Sequence, residues 1–149
     1  MRRAAEVVPA SVVVLAAVTD QPIDVATHEQ AVAARWAGAT AIFAGVVRDH
    51  DGGRAVDRLT YEAHPDAGQV VARIAGQVAD LFPGIVIAVS HRVGALEVTD
   101  VALVAAVASA HRGQAFAACA ELVERVKASL PVWKHQVLAD GSDEWVGAL

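Results

Sequence analysis

The sequence predicts an α+β fold, a largely antiparallel mixed sheet with helices packed on it, in a single domain over residues 1–149. Three observations lead there. At 149 residues, with 55% hydrophobic and 19% charged side chains, the chain is long enough for one substantial core and too apolar for disorder. Its helical-period segments are few and separated by runs rich in Val and Ala. Several strand-like runs also follow one another with no helix between them, which disfavours a doubly wound parallel sheet.

The elements follow in order. "MRRAAEVVPASVVVLAAVTD" has two arginines before an apolar run, the outline of a signal peptide, but Glu6 and Pro9 interrupt it. The β-branched stretch Ser11 to Val18 reads instead as a buried strand, and the uncharged span Val7 to Thr19 is short of the ~20 residues that cross a bilayer. Asp24 to Trp36 reads as a helix capped by Asp24. Ala39 to Arg48 is a strand, and "DHDGGR" after it a polar, glycine-rich loop. "VDRLTYEAH" alternates as a strand with a slip near Arg58. Asp66 to Phe82 is a helix stopped by Pro83-Gly84. "IVIAVSHRVG" and "VALVAAVASAHR" are strands separated by a turn region, Gly94 to Asp100. Gly113 to Leu130 is the clearest helix, with Phe116, Cys119, Val123, Val126 and Leu130 at helical spacing. Pro131 ends it, and "VWKHQVLA" and "EWV" form a hairpin around Asp140-Gly141.

Composition narrows the function. A net charge of −5 argues against nucleic acid as the partner. The single cysteine, Cys119, excludes an internal disulfide and a CxxC motif, and fits a reducing, cytoplasmic setting. It falls on the apolar face of a helix, where an inert thiol is expected. No segment reads as a membrane span. The histidines show no metal-ligand spacing and no phosphate-binding glycine loop is present, so no metal and no cofactor is expected.

Positive charge gathers at three element ends: Arg48-Asp49-His50, where a strand enters a glycine loop; His111-Arg112, where a strand meets a helix N-terminus; and "VKASLPVWKHQ". A helix N-terminus beside His-Arg makes a ready anion site. The last window holds both lysines of a chain that otherwise uses ten arginines. Lysine is a compact cation that can give up its proton when buried or crowded by other cations, so a site needing an amine base or a slim cation keeps Lys where Arg would not serve. Each group also has a plain reading: Arg48 as a solvated strand end, His111-Arg112 as a polar boundary, Lys127 as a stem snorkelling along the core edge, Lys134 as a solvent-facing strand residue.

In order along the chain, "FAGVVRDHDGG", "LTYEAHP", "HRVGALEVTD", "SAHRGQAFAACAELVERVKASLPVWKHQ" and "DGSDEWV" resemble the catalytic (large) subunit of molybdopterin synthase over roughly residues 38 to 146. The resemblance implies an α/β hammerhead-like fold and a sulfur transferase of molybdenum cofactor biosynthesis. That enzyme converts cyclic pyranopterin monophosphate into molybdopterin by inserting the two dithiolene sulfurs. It further implies a small ubiquitin-like partner whose C-terminal Gly-Gly carries the sulfur as a thiocarboxylate, and a homodimer of large subunits at the core of a heterotetramer. Carried over by position, Arg48, His111 and Arg112 bind the phosphorylated pterin, in a site that draws on both protomers. Lys127 and Lys134 are the catalytic pair where thiocarboxylate meets pterin. Val46, Val47, His135 and Gln136 form the substrate edge. The chain departs from the family at Val46, where Lys is common, at His135-Gln136, where Arg-Glu is frequent, and at Val132, where an aromatic residue is common. The alternative is a non-catalytic dimeric module that binds a phosphorylated ligand or a partner's C-terminus.

Overall fold

A computed structural model describes residues 7–147. The leading arginines and Glu6, used above to read the N-terminus, lie outside the described residues, as do the last two positions of the expected domain. The elements are β1 (Val12–Thr19), α1 (Val25–Val32), β2 (Ala39–Val46), β3 (His50–Asp51), β4 (Arg54–Ala63), α2 (Ala67–Leu81), β5 (Ile85–Arg92), β6 (Gly94–Glu97), β7 (Val101–Ser109), α3 (Arg112–Ser129), β8 (Val132–Leu138) and β9 (Asp143–Gly147). The fold is α+β, with three helices packed on mixed sheets.

The strands divide into two sheets. One has the order β1-β5-β7-β2; the other has the order β3-β4-β8-β9 with β6 also on β4. Among the described strands only β1 and β5 pair in parallel. The central strands β5 and β7 are buried on both faces, which is why they read as unbroken apolar runs. Alternation sends Ile85, Ile87 and Val89 of β5, with Leu103, Ala105 and Val107 of β7, into the core under α2 and α3. Val86, Ala88, Ala106 and Ala108 face Val32 of α1 on the other side. Burial of a side chain such as Leu122, fully enclosed on α3, is worth about 2–3 kcal/mol.

Helix α1 begins as expected: the Asp24 carboxylate accepts the Thr27 N–H at 2.7 Å. Its buried His28 donates Nδ1–H to the Asp24 carbonyl (2.7 Å), leaving Nε2 to accept from the Ser90 hydroxyl (2.8 Å). The helix ends at Val32 and not at Trp36. The chain must turn there to enter β2, and it passes so close to β7 that a Cβ on Gly38 would stand 2.7 Å from the Ala110 carbonyl oxygen. Tertiary packing overrides helix propensity over these residues.

The loop after β2 is tighter than expected. "DHDGGR" is a hairpin whose two turn residues, Gly52 and Gly53, have φ of 57° and 77°. The slip near Arg58 is present as a register shift between Val56 and Arg58 where β4 meets β8. The region Gly94 to Asp100 is not all turn: Gly94–Glu97 pairs with β4 as β6, and only then does the chain reverse, with the Asp100 N–H on the Glu97 carbonyl. Val47, Leu59, Leu96 and Ala102 form a small core joining the second sheet to the first.

Candidate active site

Pro131 splits the lysine window between two elements. Helix α3 is held to the core by Ala118, Cys119, Leu122, Val123 and Val126, and ends with the Leu130 N–H on the Val126 carbonyl at 2.9 Å. Lys127 stands on the last turn, where a cation complements the carbonyl end of the helix dipole. Its Nζ lies 6.0 Å from the centroid of the Phe43 ring, at the edge of cation–π range. After Pro131, whose carbonyl accepts the His64 N–H at 3.0 Å, β8 runs back beside β4 and sets Lys134 opposite Tyr61. Phe116, expected on the apolar face of α3, is 66% exposed.

A pocket of about 280 Å³ opens between the two lysines. Lys127, Lys134, Arg48, Val46, Val47 and Gln136 all line it, so most of the residues singled out from the sequence meet in one place. Tyr61, His50 and Asp51 complete its polar wall. Gln136 is fully buried and its amide nitrogen donates to Asp51 (2.7 Å) and to Glu144. Arg54 holds Glu144 from outside at 2.7 Å. The Asp51 carboxyl is kept below the usual carboxylate range first by the Gln136 hydrogen bond, then by the charges of Lys134, Arg48 and Arg54.

The two lysines have unlike surroundings. Lys134 lies 4.0 Å from Asp51, whereas among the described residues Lys127 forms no ion pair. Behind Lys127, the buried His91 meets Tyr61 edge-to-face at 4.9 Å. Burial holds the His91 pKa down at about 4, against a hydrogen bond to the Arg92 carbonyl that raises it, and the charge on Lys127 pushes the same way as burial. His91 is therefore held in its neutral form at physiological pH, behind Tyr61. Burial also raises Tyr61 and the Cys119 thiol, which disfavours the thiolate that a nucleophilic cysteine needs.

Three expected residues are elsewhere. His135 alternates to the opposite face of β8, where its Nε2 lies 2.7 Å from Asp143 and its ring stacks on Trp145 at 4.6 Å. Trp133 shares that face and is 42% exposed. His111 and Arg112 open α3 at the far end of β2, lining a separate cavity of about 500 Å³ with Gly38 and Ala39. Since β2 runs from Ala39 to Val46, that cavity and the lysine pocket are separated by about 23 Å of strand. One chain thus carries two separate cationic clusters.

The polar wall contains a residue that sequence reasoning did not single out, Asp51. The Gly-Gly pair inside "DHDGGR" was the available signal for Asp51, since a two-residue hairpin fixes the side chains flanking it. Among the described residues, no group of three or more His, Cys, Asp or Glu is placed to hold a metal, and no helix is long and apolar enough to cross a membrane.

Comparison with known proteins gives one answer. A sequence model described as "MoaE protein" matches residues 18–129. The chain is 39% identical over 130 residues to molybdopterin synthase catalytic subunit 1 of Mycobacterium tuberculosis, covering 87% of this chain and 88% of that one. It is 37% identical over 131 residues to the molybdopterin synthase catalytic subunit of Bacillus subtilis, covering 87% and 83%. The crystal structure of molybdopterin synthase from Staphylococcus aureus superposes with a TM-score of 0.82 at 31% identity, covering 87% of this chain and 95% of that one. A complex of subunits 1 and 2 of the molybdopterin-converting factor from Helicobacter pylori shares the fold at a TM-score of 0.59 and 19% identity, covering 75% and 72%. With its fold and these relatives in agreement, the chain belongs to the MoaE protein family, the catalytic subunits of molybdopterin synthase.

Proposed function

We propose that the chain converts cyclic pyranopterin monophosphate to molybdopterin in a pocket shared between two copies of itself. Arg48, Lys127 and Lys134 come from one copy, and His111 and Arg112 from the other. The observation that carries this reading is the position of the two half-sites at opposite ends of β2. Strand β2 is the outer strand of its sheet, so one of its edges has no partner among the described strands. Beside it runs an apolar groove of about 290 Å³ lined by Ile42, Phe43, Phe116 and Val123. Antiparallel pairing of β2 with its copy, centred on Ile42, sets Ala39 of one chain against Gly45 of the other, beside Val46. The His111-Arg112 end of each chain then closes over the lysine pocket of its neighbour.

The chemistry suits such a pocket. A phosphorylated pterin and a thiocarboxylate are both anions, and Arg48 with the two lysines supplies positive charge in a partly enclosed space. Arg112 and the first N–H groups of α3 add a second anion-binding element, suited to the phosphate. The sulfur donor is the C-terminal thiocarboxylate of a small ubiquitin-like subunit ending in Gly-Gly, which enters as an extended tail. Lys127, on an apolar wall without a counter-ion, acts as the acid–base group at the acyl end, and Lys134 holds the pterin side. Val46, Val47 and Gln136 shape the edge of the pocket; His135 stays outside it.

An in vitro conversion assay with the thiocarboxylated small partner tests this reading. Turnover should require both proteins and be lost in Lys127→Arg and Lys134→Arg, which keep charge but not an amine. Full activity in both variants would return the chain to a binding module that needs charge alone.

A further inference from the structure

Among the described residues, Asp51 is the one carboxylate lining the lysine pocket, and the reaction above gives it no role. It sits on β3, directly before the Gly52-Gly53 turn. Its Oδ2 accepts from Gln136 Nε2 at 2.7 Å and lies 4.0 Å from Lys134 Nζ, while Oδ1 lies 3.8 Å from Arg48 Nη2. The amide contact is a true hydrogen bond and the two cation contacts are longer than one. A neutral, buried side chain therefore holds the carboxylate, and the cations feel it through space. Gln136 is itself fixed by its second donation to Glu144 on β9, so the carboxylate is tied into the sheet. It is one-third exposed toward the pocket, and the glycine turn beside it has nothing packed within 4 Å of either Cβ position.

We propose that Asp51 is a specificity-determining residue: a resident anion that shares the field of Arg48 and Lys134 and so weakens the pocket's hold on small free anions. Inorganic phosphate has only charge to bind in this pocket, from Arg48, Lys134 and Lys127. A phosphorylated pterin has ring contacts and the second half-site as well, and overcomes the same repulsion. The inference rests on the shared-pocket reading, because that reading supplies the anionic substrate.

Calorimetric titration of inorganic phosphate into the purified chain provides the test. Asp51→Asn should bind phosphate roughly threefold to tenfold more tightly than the unmodified protein at low ionic strength, with the gain shrinking as salt is added. Asp51→Glu, which keeps the charge, should stay near the unmodified value. Asp51→Ser, which removes both the charge and the tie to Gln136, should follow Asp51→Asn and serves if that variant folds poorly. In the conversion assay, inhibition by phosphate should strengthen in Asp51→Asn by the same factor. Equal or weaker phosphate binding in Asp51→Asn overturns the assignment of Asp51 while leaving the pocket intact. Equal tightening in Asp51→Glu also overturns it, since shape and not charge would then be at work. No phosphate binding by any of these proteins overturns the assignment too, and if pterin binding is also absent the shared-pocket reading falls with it.

Discussion

The two ends of β2 differ in how they are built. At the Val46 end, a helix C-terminus, a hairpin and two strands of the second sheet converge, and charge is balanced through a buried amide. At the Ala39 end, one strand stops, one helix starts, and His111-Arg112 stands over a broad cavity. The first end is held by long-range packing, the second by a local strand-to-helix turn. The difference teaches that charge clustered along a sequence need not gather within one chain. In the proposed symmetric pairing, groups that a single fold keeps about 23 Å apart would meet.

Several experiments can break that comparison or sharpen it. The largest effect is expected at the lysine end, where Lys127→Ala should lower kcat roughly a hundredfold or more, the usual worth of a positioned acid–base group. Arg112→Ala, at the other end, should weaken pterin binding by roughly tenfold to a hundredfold, read by calorimetry. Mixing these two variants decides whether the ends meet across chains. Random exchange should restore about a quarter of the normal sites, because each mixed dimer regains one intact pocket. No recovery in mixtures shown to contain mixed dimers would place both ends in the same chain's site.

Ile42→Glu puts like charges face to face across the proposed two-fold, and should shift the protein toward monomer in sedimentation with activity falling in parallel. A smaller effect concerns His91. Folded, it stays neutral down to about pH 4; unfolded, it takes a proton near 6.5. The unfolded state therefore binds more protons between those values. Stability from this source is complete above about pH 6.5 and is lost as pH falls toward 4, by up to about 3 kcal/mol. Urea melts across that range measure it, and His91→Asn should flatten the dependence. Least affected is Cys119→Ala, which should keep full turnover and cost about 1 kcal/mol of stability.

Much of the fold was legible because its signals are local. Asp24 caps α1 as its side chain requires, and the Val- and Ala-rich runs of β5 and β7 could hardly be other than buried strands. The early end of α1 at Val32 was not legible, since it answers to the close passage of Gly38 and Ala110, which are far apart in sequence. Strand β6 was hidden for a related reason: "GALE" is too short to show a period, and pairing with β4 alone makes it a strand. In the pocket, Lys127, Lys134 and Arg48 were found through charge and lysine usage. His135 was misplaced because resemblance transfers positions but not faces, and strict alternation along β8 admits Lys134 and Gln136 while turning the residue between them away. Asp51 was overlooked inside what looked like a solvated loop.

The alanines of β7 have a consequence beyond filling space. Cys119 of α3 rests on Ala105, with its sulfur 3.8 Å from that residue's carbonyl oxygen. The helix therefore rides at a height set by the smallest side chain that still has a Cβ. An interior this close-packed does not absorb an added methylene silently. Ala105→Val would jack α3 away from the sheet and carry Lys127 with it, and misplacement of about 1 Å is enough to cost a reaction around a hundredfold. Ala105, set between Leu103 and Val107 on the α3 face of β7, works as a gauge block under the active site, and its tolerance is tighter than core stability alone would demand.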